Sequence, residues 1–126
     1  MQTSRPVFLD LRRIKLPLPG VVSILHRVGG VLMVLSIPFS AALFHQALSG
    51  PEGFAATVAF LSSWPIELAL LVLTWGLLHH LLAGIRHLLL DIGIGLDRPV
   101  ARKTAWVVLA GAPLLLVVLI VLGVME

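Results

Sequence analysis

His79 to Asp91 reads H-H-L-L-A-G-I-R-H-L-L-L-D and closes a long apolar run that begins at Leu68. It places three histidines, an arginine and an aspartate where a lipid-facing helix ordinarily carries none. A charge at the centre of a membrane helix costs roughly 2.5–3.5 kcal/mol on insertion scales, so such residues point to function. At 100° per residue, Gly84, His87 and Asp91 fall within about 40° of His80 on a helical wheel. His79 and Arg86 project elsewhere. One narrow face therefore carries imidazole, bare glycine, imidazole and carboxylate.

Composition fixes the setting of that face. The chain has 126 residues, 59% hydrophobic and 12% charged, with a mean hydropathy of +1.07. An average soluble protein is about 25% charged, so too little polar surface remains to clothe a water-soluble globule. The sequence predicts a single, all-α integral membrane domain. Nine Lys/Arg against six Asp/Glu give a net charge of +3, but the basic residues fall in two blocks, which reads as topology and not nucleic-acid binding. Without cysteine the chain offers no disulfide, thiolate metal site or iron–sulfur ligation. Arg12, Arg13 and Lys15 interrupt the first twenty residues and argue against a cleaved secretory signal.

Residues 1–20, with Arg5, Arg12, Arg13, Lys15 and prolines 6, 17 and 19, read as an extended basic tail on the cytoplasmic side. Three spans follow, at about 21–44, 65–90 and 104–125, each long enough for a hydrocarbon core of about 30 Å. Gly29 and Gly30 thin the first span, and Pro38 marks a kink. His45 to Pro65 reads as a loop punctuated by Gly50, Pro51 and Gly53. No Lys or Arg occurs between Arg27 and Arg86, so this loop faces away from the cytoplasm. Gly93 to Lys103 reads as a basic loop, and the third span, with no polar side chain beyond Thr104, serves packing. Such a small bundle needs a partner to enclose a site.

Ser23, His26 and Arg27 share one face at the start of the first span. The bland reading is an arginine that reaches back to phosphates. The sharper one is a polar pocket, in which Arg27 binds a carbonyl or carboxylate, Ser23 donates a hydroxyl and His26 relays a proton. For His80 four readings stand: a satisfied structural histidine, a metal ligand, part of a proton relay with His87 and Asp91, or an axial haem ligand. Gly76 and Gly84, at i−4 and i+4, leave bare helix on either side of His80, as a flat macrocycle requires. The second imidazole of a bis-histidine haem would come from the helix neighbours of His79, from His26, or from another chain.

The motifs S-I-L-H-R-V-G-G at 23–30, P-E-G-F at 51–54 and H-L-L-A-G-I-R-H-L-L-L-D at 80–91, with R-P-V-F-L-D-L in the tail, resemble the cytochrome b556 membrane-anchor subunits of succinate dehydrogenase. The resemblance implies a bacterial inner-membrane complex with a second anchor, an iron–sulfur subunit and a flavoprotein. FAD and the iron–sulfur clusters reside in those partners, and haem b lies between the two anchors. Electrons from succinate pass to ubiquinone or menaquinone. By the resemblance, His80 is this chain's axial ligand to the haem iron, and Ser23 and Arg27 line the quinone site. His26, Arg27 and His87 lie near the haem, and Asp91 serves proton delivery. Two features depart from the family pattern: Gly29 stands where a small hydroxyl residue is commoner, and His79 precedes the ligand position. The rival classes are a haemless anchor for a soluble dehydrogenase, a fumarate reductase anchor, and a small multidrug-type transporter. The last would need a membrane-embedded carboxylate, which this sequence lacks.

Overall fold

Each of four helices carries a proline within its first two residues: α1 (Leu18–Ala47), α2 (Pro51–Leu61), α3 (Trp64–Asp91) and α4 (Arg98–Met125). At that position the missing N–H costs nothing and the fixed φ favours the helix. These bounds come from a computed structural model that describes residues 15–125; the tail motif at 5–11 and the basic residues Arg5, Arg12 and Arg13 lie outside the described residues. Helices α1, α3 and α4 are long and apolar enough to cross a membrane. Among the described residues the architecture is wholly helical, as the sequence predicts.

Three boundaries differ from the sequence reading. First, α1 starts at Leu18, inside the stretch read as tail, because the extended Pro17 presents its carbonyl to the N–H groups of Gly20 and Val21 at 2.8 and 3.2 Å. Second, the segment read as a loop holds α2. Gly50, at φ 132°, breaks the chain, and Pro51 opens a new helix instead of continuing a turn. A side chain on Gly53 would collide with the Gln46 carbonyl and Ser49 Oγ, so the α1–α2 corner closes only around glycine. Third, α4 starts at Arg98, and its first two turns take up Arg98, Arg102 and Lys103. The Asp97 carbonyl accepts the Ala101 N–H at 2.8 Å and sets that start.

Helix α3 ends in a Schellman arrangement: Gly93, at φ 84°, donates its N–H to Leu90, and Ile94 donates to the Leu89 carbonyl. The turn brings α4 back against α3. A small core of Val22, Ala83, Ala105 and Val108, lined by Leu18, Leu82 and Leu109, forms where α1, α3 and α4 meet. Two of the four buried residues are alanine, so the backbones approach closely. Lys15, Arg98 and Arg102 line a surface depression at this end. The opposite end holds the Ser49–Gly53 corner with Glu52. Most large apolar side chains of the three long helices point outward.

Candidate functional site: an interlocked imidazole cluster

Helices α1 and α3 run antiparallel, and each contributes a histidine followed four residues later by a glycine: His26 with Gly30, and His80 with Gly84. The two pairs interlock. The His80 ring occupies the place a Gly30 side chain would take, with an ideal Cβ there only 3.0 Å from Cε1. In return, His26 lies over Gly84, where a Cβ would be 3.4 Å from Nε2. The two rings stack face to face, centroids 3.9 Å apart and planes 12° apart. Gly29 allows the approach, since a Cβ there would already stand 3.2 Å from the Gly76 carbonyl oxygen.

His80 Nδ1 lies 2.9 Å from the His26 carbonyl oxygen. A carbonyl only accepts, so Nδ1 carries the proton and donates it. The neutral ring then keeps its lone pair on Nε2. That nitrogen has no partner among the described residues, yet it is not sealed off. His87 meets the His26 ring edge-on, centroids 5.2 Å apart. The structure thus gathers His26, His80 and His87. Among the described residues no set of three His, Asp or Glu side chains is arranged to hold a bare metal ion.

The remaining predicted residues stand apart. Ser23 is half-buried, Arg27 is exposed, and Asp91, the last residue of α3, is exposed. Among the described residues no side-chain bond joins Ser23 to Arg27 or His87 to Asp91. The groove of about 420 Å³ between α1, α2 and α3, with Leu32, Phe39, Phe60 and Leu73 among its walls, lies toward the opposite end.

Helix α3 turns a different face inward from the one the sequence singles out. Its buried residues are Gly76, His79, Ala83 and Arg86, all to one side of His80 and centred roughly 80° around the helix from it. His79 is 1% exposed and Arg86 is 5% exposed. Arg86 ties α3 to α4, donating Nε–H to Thr104 Oγ1 and Nη2–H to the Ala101 carbonyl, both at 3.0 Å. His79 Nε2 sits 3.4 Å from the Val22 carbonyl, and its Nδ1 is buried with no partner among the described residues. On the helical wheel both fall outside the His80 face. The spacing 76, 79, 83, 86 with two small members is the signal that could have marked this as the packing face. Bare helix on both sides of His80 is likewise corrected: the Gly84 side is filled by His26, and Gly76 is buried with its carbonyl beside Gly29, although a Cβ at Gly76 would meet nothing within 4 Å.

The packing face is spent inside the chain, and the His80 face is left half-open toward whatever lies alongside. This defines a multi-pass membrane protein with an imidazole cluster between its first two spans. The chain belongs to the succinate dehydrogenase/fumarate reductase transmembrane subunit family, whose model matches residues 1–120. It is 36% identical to the succinate dehydrogenase cytochrome b556 subunit of Coxiella burnetii over 110 residues, covering 86% of this chain and 87% of that protein. Identity to the Paracoccus denitrificans protein of the same name is 34% over 121 residues, covering 94% and 91%. The mitochondrial cytochrome b560 subunit of Mus musculus is 34% identical over 103 residues, covering 77% of this chain and 59% of that protein.

Proposed function

We propose that this chain is the haem b-binding membrane anchor of a bacterial succinate dehydrogenase and forms part of its quinone-reduction site. The observation that carries the reading is the bond from His80 Nδ1 to the His26 carbonyl. It leaves an accessible Nε2 lone pair in the tautomer an axial iron ligand requires. The residues present therefore fit haem b, held by His80 with His26, Arg27 and His87 close by. When bound, the haem stores and returns single electrons.

A second imidazole for the haem would come from another chain, because the His26 ring lies flat against His80 and is not free to hold the group beside it. His26 serves instead as neighbour and carbonyl acceptor. The half-open His80 face then becomes the seam with a second anchor subunit.

Reduction of a quinone takes two electrons and two protons, and this chain's residues act at the oxygen atoms. Arg27, with no partner among the described residues, donates to a quinone carbonyl oxygen and offsets the negative charge that gathers there. Ser23, one turn earlier on the same face, donates its hydroxyl or orients the ring. Asp91 and His87 lie toward the aqueous end of α3 and deliver protons. By the positive-inside rule, the end bearing Lys15, Arg98 and Arg102 faces the cytoplasm. The iron–sulfur and flavoprotein subunits dock there, with FAD and the iron–sulfur clusters, and supply electrons from succinate. The quinone is ubiquinone or menaquinone.

The reading is tested by purifying the complex in mild detergent, recording its absorption spectrum and identifying the co-purifying chains. A b-type band with three partner subunits is expected. A complex without porphyrin would reduce the chain to a structural anchor.

A further inference from the structure

The His80 ring is confined on three sides, all by α1: the His26 carbonyl at Nδ1, the His26 ring against one face, and Gly30 at the Cε1 edge. Carbon atoms pack at about 3.5–4.0 Å. A Cβ on Gly30 would lie 3.0 Å from Cε1 and 3.4 Å from Nδ1, so the imidazole already fills that space.

We propose that Gly30 is a positioning residue for His80: its missing side chain fixes the plane in which the imidazole presents Nε2 to the haem iron. The inference rests on the haem reading above. A methyl group at residue 30 leaves two responses. Either α1 and α3 move apart at their glycine contact, or the ring tilts and stretches its bond to His26. Tilting displaces one small ring, whereas separation opens a helix seam, so the ring gives way. The plane of an axial imidazole and the hydrogen bond on its far nitrogen both act on the iron's electronic structure and reduction potential.

Gly84 supplies the matched control. A Cβ there meets His26 Nε2 at 3.4 Å, an ordinary contact, and touches nothing of His80. Gly30→Ala and Gly84→Ala therefore add the same methyl group to the two halves of one interlock, but only the first presses directly on the ligand.

The test uses the purified complex. Low-temperature electron paramagnetic resonance of the oxidised haem and a redox titration are compared for the parent, Gly30→Ala and Gly84→Ala. Gly30→Ala is expected to shift the low-field g feature and the midpoint potential with haem still bound, and by more than Gly84→Ala, whose methyl group reaches His80 only through His26. Parent values in Gly30→Ala, or an equal shift in Gly84→Ala, overturn the proposal. Should Gly30→Ala fail to assemble, thermal denaturation of a cycle with His80→Ala decides. Removing the ring is expected to abolish the cost of the added methyl group, and an equal loss in both backgrounds overturns the proposal. A parent without a haem band ends the haem reading itself, a result distinct from any of these.

Discussion

The backbone carbonyl of His26 and the imidazole of His80 meet at 2.9 Å across the seam between the first two spans. Fifty-four residues separate them, so the bond forms only when α1 and α3 pack as a pair. It ties the protonation of a single nitrogen to the folding of the bundle. Because the acceptor is main chain, no substitution at residue 26 removes it.

That relationship makes His80 the residue whose loss is most diagnostic. His80→Ala should abolish the b-type absorption band of the purified complex or shift it to that of a differently ligated haem. His26→Ala keeps the carbonyl and should retain the band. An unchanged spectrum in His80→Ala would remove it from the iron.

Arg27 is exposed and has no partner among the described residues, so its guanidinium is available to a ligand without first breaking a bond. Arg27→Ala should lower quinone reductase activity about ten- to a hundred-fold, the worth of one charge-assisted hydrogen bond. Succinate oxidation with an artificial soluble acceptor should stay close to the parent rate, since that reaction ends before the membrane. Equal loss of both activities would point to failed docking of the soluble subunits.

Arg86 is a structural residue, and its partners say so: a hydroxyl and a carbonyl on α4, both at 3.0 Å. Removing the hydroxyl leaves part of a buried guanidinium without an acceptor. Thr104→Val should therefore destabilise the folded subunit by about 1.5–3 kcal/mol. Thr104→Ser should recover most of that. The thermal midpoint of the complex in detergent checks both, with the haem spectrum expected to be unchanged where the fold survives.

The three spans were legible because charge-free runs of this length suit a bilayer and little else, and because Pro65 and Pro113 fall where a helix tolerates or bends around them. The short helix α2 was not. Its Gly50-Pro51 start has the composition of a turn, and only the closeness of Gly53 to Gln46 shows a corner between two helices. The His80 face was legible as a pattern, since ionisable residues at membrane depth stand out from any apolar background. Its partition was not. The wheel gives angles between residues but not which angle points at the neighbouring helix, and that choice depends on where Ala83, Ala105 and Val108 let the backbones touch. Hence Arg86 and His79 proved to be interior residues, while Asp91 and Arg27 remain open to partners.

His79 provides the sharpest contrast with its neighbour. It is the more buried of the two adjacent histidines, yet its contacts are the poorer. Nε2 stands 3.4 Å from the Val22 carbonyl, beyond the usual 2.7–3.2 Å range for such bonds, and Nδ1 has no partner among the described residues. The Trp75 ring lies 5.6 Å away, so the surroundings are apolar and aromatic. A half-satisfied buried ring contributes little beyond its packing, and an apolar side chain of similar volume recovers that packing without a stranded lone pair. The Val22 carbonyl keeps its own bond within α1, so the substitution strands nothing there. His79→Leu should therefore change stability by no more than about 1 kcal/mol and leave both the b-type band and quinone turnover at parent levels. Loss of the band in His79→Leu, with His80→Ala unaffected, would favour the inward-facing histidine as the iron ligand and count against the seam proposed for a second anchor.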